Sequence, residues 1–281
     1  MTNMKPFIFF GTPYVARDTL ATLVAAGYVP VLVVTSPDRP RGRGMVLTPC
    51  ETKAWALEHN LPVLSPESLS EEVCAQIQAV GASYALVVAY GKILPASLIA
   101  MFPQGLLNVH YSLLPKYRGA SPVEAALRNG DTVTGVAIQK MVQELDAGDI
   151  LAMEETTILP DETTKELRVR LIELGAQLLI RILPAYLAGE ITPTPQDHAL
   201  ATRCRKIPKE EGALDLSASD EENWRKYRAY FEGPGTYFFA ERDGKRVRVK
   251  IRKASFIHGK FVIERIVPEG KNEMAYTDFI H

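Results

Sequence analysis

Pro6-Phe-Ile-Phe-Phe10 carries no polar residue, and Leu86-Val-Val-Ala89 repeats that character further along the chain. An alternating strand keeps one face wet, whereas an uninterrupted apolar run suits a strand buried on both faces of a sheet covered by helices. Val29 to Thr35 and Leu106 to Val109 read as further strands of this kind. Between them, Ala16 to Ala26, Glu51 to His59, Glu67 to Val80 and Pro122 to Arg128 carry helical patterns, so strand and helix alternate from Lys5 to about Ala188. The expected fold class is α/β, with a doubly wound, mainly parallel, Rossmann-like sheet. Such sheets bind ligands at the carboxyl ends of their strands, which directs attention to the loops after Phe10, Ala89 and Val109.

Thr163-Thr-Lys-Glu166 has the spacing of a capping box and precedes an amphipathic run through Leu167, Leu171, Leu174 and Leu178. That helix closes the first domain. Ile191-Thr-Pro-Thr-Pro-Gln-Asp-His198 is proline-rich and without periodicity, as in a semi-rigid linker. After a short helix around Asp220 to Tyr230, Arg246 to Arg252 alternates strictly and Phe256 to Ile263 contains a Gly turn. Antiparallel strands wet on one face follow, in a small C-terminal sheet or antiparallel β-barrel. The expected division is residues 1–189, a linker at 190–207, and a small β domain at 208–281.

The chain has 281 residues, 47% hydrophobic and 23% charged, which excludes a disordered chain or a fibre. No apolar stretch is long enough to span a bilayer, and Met1 to Lys5 lacks the features of a signal peptide, so a cytoplasmic protein away from membranes is expected. Three scattered cysteines, Cys50, Cys74 and Cys204, encode neither a disulfide framework nor a zinc cluster, and no metal is expected. The net charge of −1 hides an asymmetry: the basic excess lies beyond residue 200 and the acidic excess before it. An anionic partner touching the C-terminal part would suit that split.

Leu106-Leu-Asn-Val-His-Tyr-Ser-Leu-Leu-Pro-Lys-Tyr-Arg-Gly-Ala-Ser-Pro122 is the richest stretch for chemistry. Asn108 and His110 are two apart on a strand, so both side chains leave one face near the strand's end. An amide donor beside an imidazole suits a reaction in which a carbonyl carbon becomes tetrahedral. A partner for the imidazole is offered by Met141-Val-Gln-Glu-Leu-Asp-Ala-Gly148, where Asp146 falls on a loop beside a neighbouring strand end. Taken alone, the same residues also read as a satisfied core histidine, a turn asparagine and a capping aspartate.

Asn108-Val-His110 with Ser112-Leu-Leu-Pro115, Arg118-Gly-Ala-Ser-Pro122 and Leu145-Asp-Ala-Gly148 resembles the formyltransferase family that uses 10-formyltetrahydrofolate. Phe10-Gly-Thr-Pro13, the insertion Ser36-Pro-Asp-Arg-Pro-Arg-Gly-Arg-Gly44 and Lys206-Ile-Pro-Lys-Glu-Glu-Gly212 resemble the branch acting on initiator methionyl-tRNA. The match covers nearly the whole chain. The resemblance implies that Asn108, His110 and Asp146 carry formyl transfer from the folate to the methionine amino group. It also places the pterin near Tyr90, Ile93 and Leu94, with Ser112, Leu113, Leu114 and Pro115 along one wall. The acceptor stem of the tRNA would meet the loop bearing Arg39, Arg41 and Arg43, expected as a mobile surface loop. Arg246, Arg248 and Lys250, on the wet face of the C-terminal strand, would track the RNA backbone. A monomer is expected.

One departure stands out: only 28 residues follow Lys253, so the C-terminal domain is shorter than the family's usual barrel. The nearest alternatives are family members that formylate an amino sugar nucleotide or glycinamide ribonucleotide. A nicotinamide dehydrogenase would need Gly-x-Gly-x-x-Gly where this chain has Gly11-Thr-Pro-Tyr-Val-Ala16. A non-enzymatic RNA-binding protein would leave Asn108 to Pro122 without a role.

Overall fold

The apolar runs form the centre of a seven-stranded sheet in a computed structural model that describes residues 5–42, 44–242 and 244–280. In chain order the first elements are β1 (Phe7–Gly11), α1 (Tyr14–Ala25), β2 (Leu32–Val34), β3 (Arg39–Arg41), β4 (Val46–Thr48), α2 (Glu51–Glu58), β5 (Val63–Leu64) and α3 (Glu71–Ala79). Next come β6 (Tyr84–Val88), α4 (Ala96–Ala100), β7 (Leu106–His110), β8 (Arg118–Gly119), α5 (Pro122–Asn129), β9 (Val133–Lys140), β10 (Ile150–Thr157) and α6 (Thr164–Leu187). The remainder comprises β11 (Arg203–Cys204), α7 (Asp220–Ala229), β12 (Tyr237–Arg242), β13 (Lys245–Ile257), β14 (Lys260–Pro268), β15 (Met274–Ala275) and α8 (Tyr276–Ile280).

The large sheet has the order β10-β9-β7-β6-β1-β2-β5. Strands β5, β2, β1, β6 and β7 run parallel to their neighbours, and β9 joins β7 antiparallel. The chain winds outward from β1 in one direction to β2 and β5, then returns to add β6 and β7 on the other side. The carboxyl ends of β1 and β6 therefore flank the point where the winding reverses, the usual ligand crevice of such sheets. Every residue of β1 and β6 is buried, as runs without polar interruption require. Fully burying leucines such as Leu106 and Leu107 contributes about 1.5–3 kcal/mol each.

Helix α6 covers the face of β7 opposite Asn108 and His110. A Cβ on Gly175 would lie 2.9 Å from Val109 Cγ1 and 3.3 Å from Val136 Cγ1, so glycine permits the helix to lie close against the sheet. The Glu166 half of the capping box forms as its spacing predicts: the Thr163 N–H and hydroxyl both donate to Glu166 Oε2, each at 2.7 Å. These bonds hold the Glu166 carboxyl below the usual carboxylate range. No described helix is long and apolar enough to cross a membrane.

The chain divides into two compact units, and the second gathers residues 119–134, 156–168 and 203–281. Within it, α5 packs against α7, and Arg168 pairs with Glu124 at 2.5 Å and Glu232 at 3.1 Å. Its core consists of Leu214, Trp224, Tyr227, Phe238, Val249, Ile251, Ala254 and Ile266. The expected small antiparallel β structure is a four-stranded sheet, β12-β13-β14-β15, whose outer strands do not pair with each other among the described residues. Strand β13 is longer than the alternating run Arg246 to Arg252, because a bulge between Ile251 and Ala254 shifts the inward phase and lets Ala254 continue the core.

Candidate active site

Asn108 and His110 lie on β7 with the spacing that turns both side chains to one face, His110 buried and Asn108 half-buried. Across the antiparallel ladder, Gln139 stands opposite Asn108 and Ala137 opposite His110. Because β9 runs antiparallel, its end meets the beginning of β7: Lys140 pairs with Leu107, and the Met141 N–H donates to the Leu106 carbonyl. The loop that follows therefore leaves from the opposite end of β7 and doubles back along the strand, bringing Asp146 Oδ2 to 3.7 Å from His110 Nδ1.

Three restraints hold that return. Gly148 passes so close to β9 that a Cβ there would sit 1.7 Å from the Lys140 carbonyl oxygen. Gln139 Nε2 donates to Asp146 Oδ1 at 2.9 Å. From the proline-rich segment, Gln196 Nε2 donates to the carbonyls of Asp146 and Gly148 at 2.9 and 2.7 Å. Gln196 Oε1 in turn accepts from Arg118 Nε and Nη2 at 3.0 and 2.7 Å, deep in the fold. Arg118, only 3% exposed, also donates to His198 Nδ1 at 3.3 Å.

The two ring nitrogens of His110 have different surroundings. Nε2 lies 3.0 Å from the Tyr117 carbonyl, which can only accept, so this nitrogen carries the hydrogen of the neutral ring by assignment from its partner. Nδ1 is left as the nitrogen that receives a second proton, and Asp146 stands beside it to stabilise the resulting charge. Burial holds the His110 pKa below the ordinary histidine value, opposed by the Asp146 carboxylate and the Tyr117 carbonyl. Ala89, Tyr117 and Asp146 adopt φ of 45°, 59° and 50°, left-handed backbone that the surrounding contacts must sustain.

The residues expected around a pterin divide by exposure. Tyr90 and Leu94 are buried in an apolar cluster, Tyr90 meeting Phe10 edge-on at 5.5 Å. Ser112 and Leu114 are also buried, and Ser112 Oγ donates to the Lys116 carbonyl at 2.6 Å. Leu113 and Pro115 are half-buried, and Ile93 is 95% exposed. Ile93, Leu113 and Pro115 thus offer apolar surface in the loops after β6 and β7. Thr12 ties the neighbouring loops together: its hydroxyl donates to the Tyr90 carbonyl and meets Ser36 Oγ, each at 3.1 Å. No cluster of three or more metal-ligating side chains occurs among the described residues.

The arginine-bearing insertion forms a two-stranded β-hairpin rather than an irregular loop, since Arg39-Pro-Arg41 pairs with Val46-Leu-Thr48 across the glycine-containing turn. Arg39 pairs with Glu67 at 3.0 Å and Arg41 with Glu51 at 2.8 Å, on exposed surface. Arg43 lies outside the described residues. Met45, Val46 and Leu47 are each about two-thirds exposed, an apolar tip beside the cations. On the C-terminal sheet, Arg246 lies 3.8 Å over the Phe239 ring and Arg248 lies 3.6 Å over Tyr237, while Lys250 is exposed. Each of these arginines thus covers an aromatic ring of β12, Tyr237 being buried and Phe239 exposed.

Sequence reasoning missed Gln139 and Gln196. A glutamine ending the apolar run Val136-Ala-Ile138 was the available signal for the first. Gln196 gave none, because its segment has no periodicity.

A formyl transferase family model matches residues 5–183. A methionyl-tRNA formyltransferase from Bdellovibrio bacteriovorus is 39% identical over 97% of this chain and 94% of its own length. Among solved structures, a sugar N-formyltransferase from Shewanella sp. superposes with a TM-score of 0.69 at 18% identity, covering 91% of this chain and 99% of that one. The sugar 3N-formyl transferase WlaRD, solved in the presence of dTDP and 5-N-formyl-THF, gives 0.63 at 15% identity over 96% and 100%. At such identities the solved structures speak to the fold, whereas the family match and the curated relative cover most of the sequence itself, and the chain belongs to the formyl transferase family.

Proposed function

We propose that this protein transfers the formyl group of 10-formyltetrahydrofolate to the amino group of methionine on initiator methionyl-tRNA, supplying formylmethionyl-tRNA for translation initiation in the cytoplasm. The observation that carries the reading is the buried meeting of Asp146 with the Nδ1 side of His110, beside Asn108, in a chain with a methionyl-tRNA formyltransferase relative over nearly its full length.

The folate supplies an activated formyl group on N10. Asn108 donates its amide hydrogen to the formyl oxygen as that oxygen becomes negative. His110 Nδ1, neutral because burial depresses its pKa, takes a proton from the amine as the new N–C bond forms. Asp146 stabilises the imidazolium, and that proton is returned to N10 as its bond to the formyl carbon breaks. Amide, imidazole and carboxylate suffice for this acyl transfer, so no metal is called for. Ile93, Leu113 and Pro115 would line the pterin site, with buried Tyr90, Leu94, Ser112 and Leu114 supporting its walls.

The tRNA is assigned to two surfaces, each with its own chemistry. Arg39 and Arg41 hold exposed carboxylates that a phosphate can displace, because exposed ion pairs contribute little. Arg43 is assigned with them from the sequence. Arg246, Arg248 and Lys250 accompany Tyr237 and Phe239, and cations alternating with aromatic faces suit RNA. Residues 1–189 would supply the chemistry and residues 208–281 part of the tRNA grip, joined by 190–207, in a monomer.

Formyl transfer from 10-formyltetrahydrofolate to charged initiator tRNA, run beside uncharged tRNA and an amino sugar nucleotide, tests the reading. Product on the charged tRNA alone is expected. Product on the sugar nucleotide alone would keep the site and replace the acceptor.

A further inference from the structure

Resting on the formyl-transfer reading, we propose that Gln139 is a positioning residue for the reaction, its side-chain amide fixing which oxygen of Asp146 faces His110. Gln139 is 1% exposed and follows Val136, Ala137 and Ile138, all buried, on β9. An apolar side chain would fill such a place without the desolvation that an amide incurs. The bond that the amide makes is to the Asp146 carboxylate, while its Oε1 has no hydrogen-bond partner among the described residues. Packing therefore gives no reason for an amide here, and Asp146 gives one.

The register explains why this position has the reach. Gln139 stands directly opposite Asn108, so the two amides leave the same face of neighbouring strands, and His110 shares that face two residues along. A carboxylate turns easily about its last side-chain bond, and its two oxygens are equivalent until something distinguishes them. The N–H donated to Oδ1 distinguishes them and leaves Oδ2 towards Nδ1. Its backbone carbonyl being held separately by Gln196, Asp146 is restrained at both ends. The titratable groups on this face are Asp146, from the loop, and His110, from β7.

Two variants separate this role from mere packing. Q139M keeps the volume and removes the donor; kcat falls about ten- to a hundredfold, as for loss of a hydrogen bond to a charged group, while KM for both substrates stays near wild type. Q139E restores a donor only when its own carboxyl is protonated, and beside Asp146 that proton is retained to higher pH than usual. The ratio of Q139E to wild-type kcat should therefore fall as pH rises, with the Q139M ratio flatter. Full-length protein is used, with thermal unfolding confirming that both variants fold. Wild-type kcat in Q139M, or a Q139E ratio that does not change with pH, overturns the proposal while leaving an active wild type and the formyl-transfer reading intact. A wild type that forms no formylmethionyl-tRNA overturns both.

Discussion

Replacing Asp146 by asparagine removes one charge and little else. Asparagine tolerates the φ of 50° found at this position, so the loop keeps its path, and Gln139 Nε2 still meets an oxygen. On the proposed mechanism, what is lost is attraction between a full carboxylate and the imidazolium formed during the reaction. At 3.7 Å, between side chains that are 6% and 9% exposed, an effective dielectric of about 20 makes that attraction about 4 kcal/mol. The amide dipole replaces part of it, so kcat falls roughly 10²- to 10³-fold. The pH profile carries a second, signed prediction. Burial keeps the His110 pKa low and Asp146 opposes burial, so removing the carboxylate lets the pKa drop further. A neutral base then survives to lower pH: the acid limb that His110 adds to the profile, distinct from the limb set by the methionine amine, lies below the ordinary histidine range in the wild type and lower still in D146N. Single-turnover formylation of methionyl-tRNA across pH reads both effects. A D146N rate within tenfold of wild type, or an acid limb displaced upward, would refute the reasoning.

Gln196→Ala leaves the buried Arg118 guanidinium without its bidentate acceptor and frees two carbonyls of the loop; stability in urea should drop by about 2 kcal/mol or more, with kcat reduced. Gly148→Ala drives a methyl into the Lys140 carbonyl, so the Asp146 loop cannot close as it does here, and formylation should be nearly lost even where circular dichroism reports a folded chain. Arg41→Ala should raise the KM for tRNA several-fold and lower the salt slope of binding by about one, leaving kcat and melting unchanged. A variant whose tRNA affinity keeps the wild-type salt slope would remove Arg41 from the interface.

The parallel core was legible because a strand buried on both faces admits no polar residues, and Phe7 to Phe10 and Tyr84 to Val88 obey that rule. The α6 start was equally legible, since a capping box is a local bond between residues three apart. The hairpin at Arg39 to Thr48 was not: Pro40 and the glycines argue against a strand, and its pairing is visible only once both arms are seen. Period two placed Asn108 and His110 on one face, but the approach of Asp146 depends on an antiparallel neighbour and a loop that reverses, neither of which has a sequence period. Gln139 and Gln196 acquire meaning only through what lies across from them. The bulge in β13 shifted the alternation after Ile251, where the pattern Arg246 to Arg252 gave no warning.

The doubled-back connection between β9 and β10 also sets the time behaviour of the site. Its nine residues belong to neither strand, and closing a loop of about that length takes on the order of 10–100 ns when nothing pins it. Enzymes turn over typically at 1 to 10³ per second, far more slowly. A loop whose restraints are weakened will therefore open and close many times between reactions, and the observed rate will be the intrinsic rate multiplied by the fraction of time the carboxylate is in place. Such loosening lowers kcat smoothly, without lag, burst or hysteresis, and cooling, viscosity or added osmolyte will act on it through that occupancy rather than by delaying a gate.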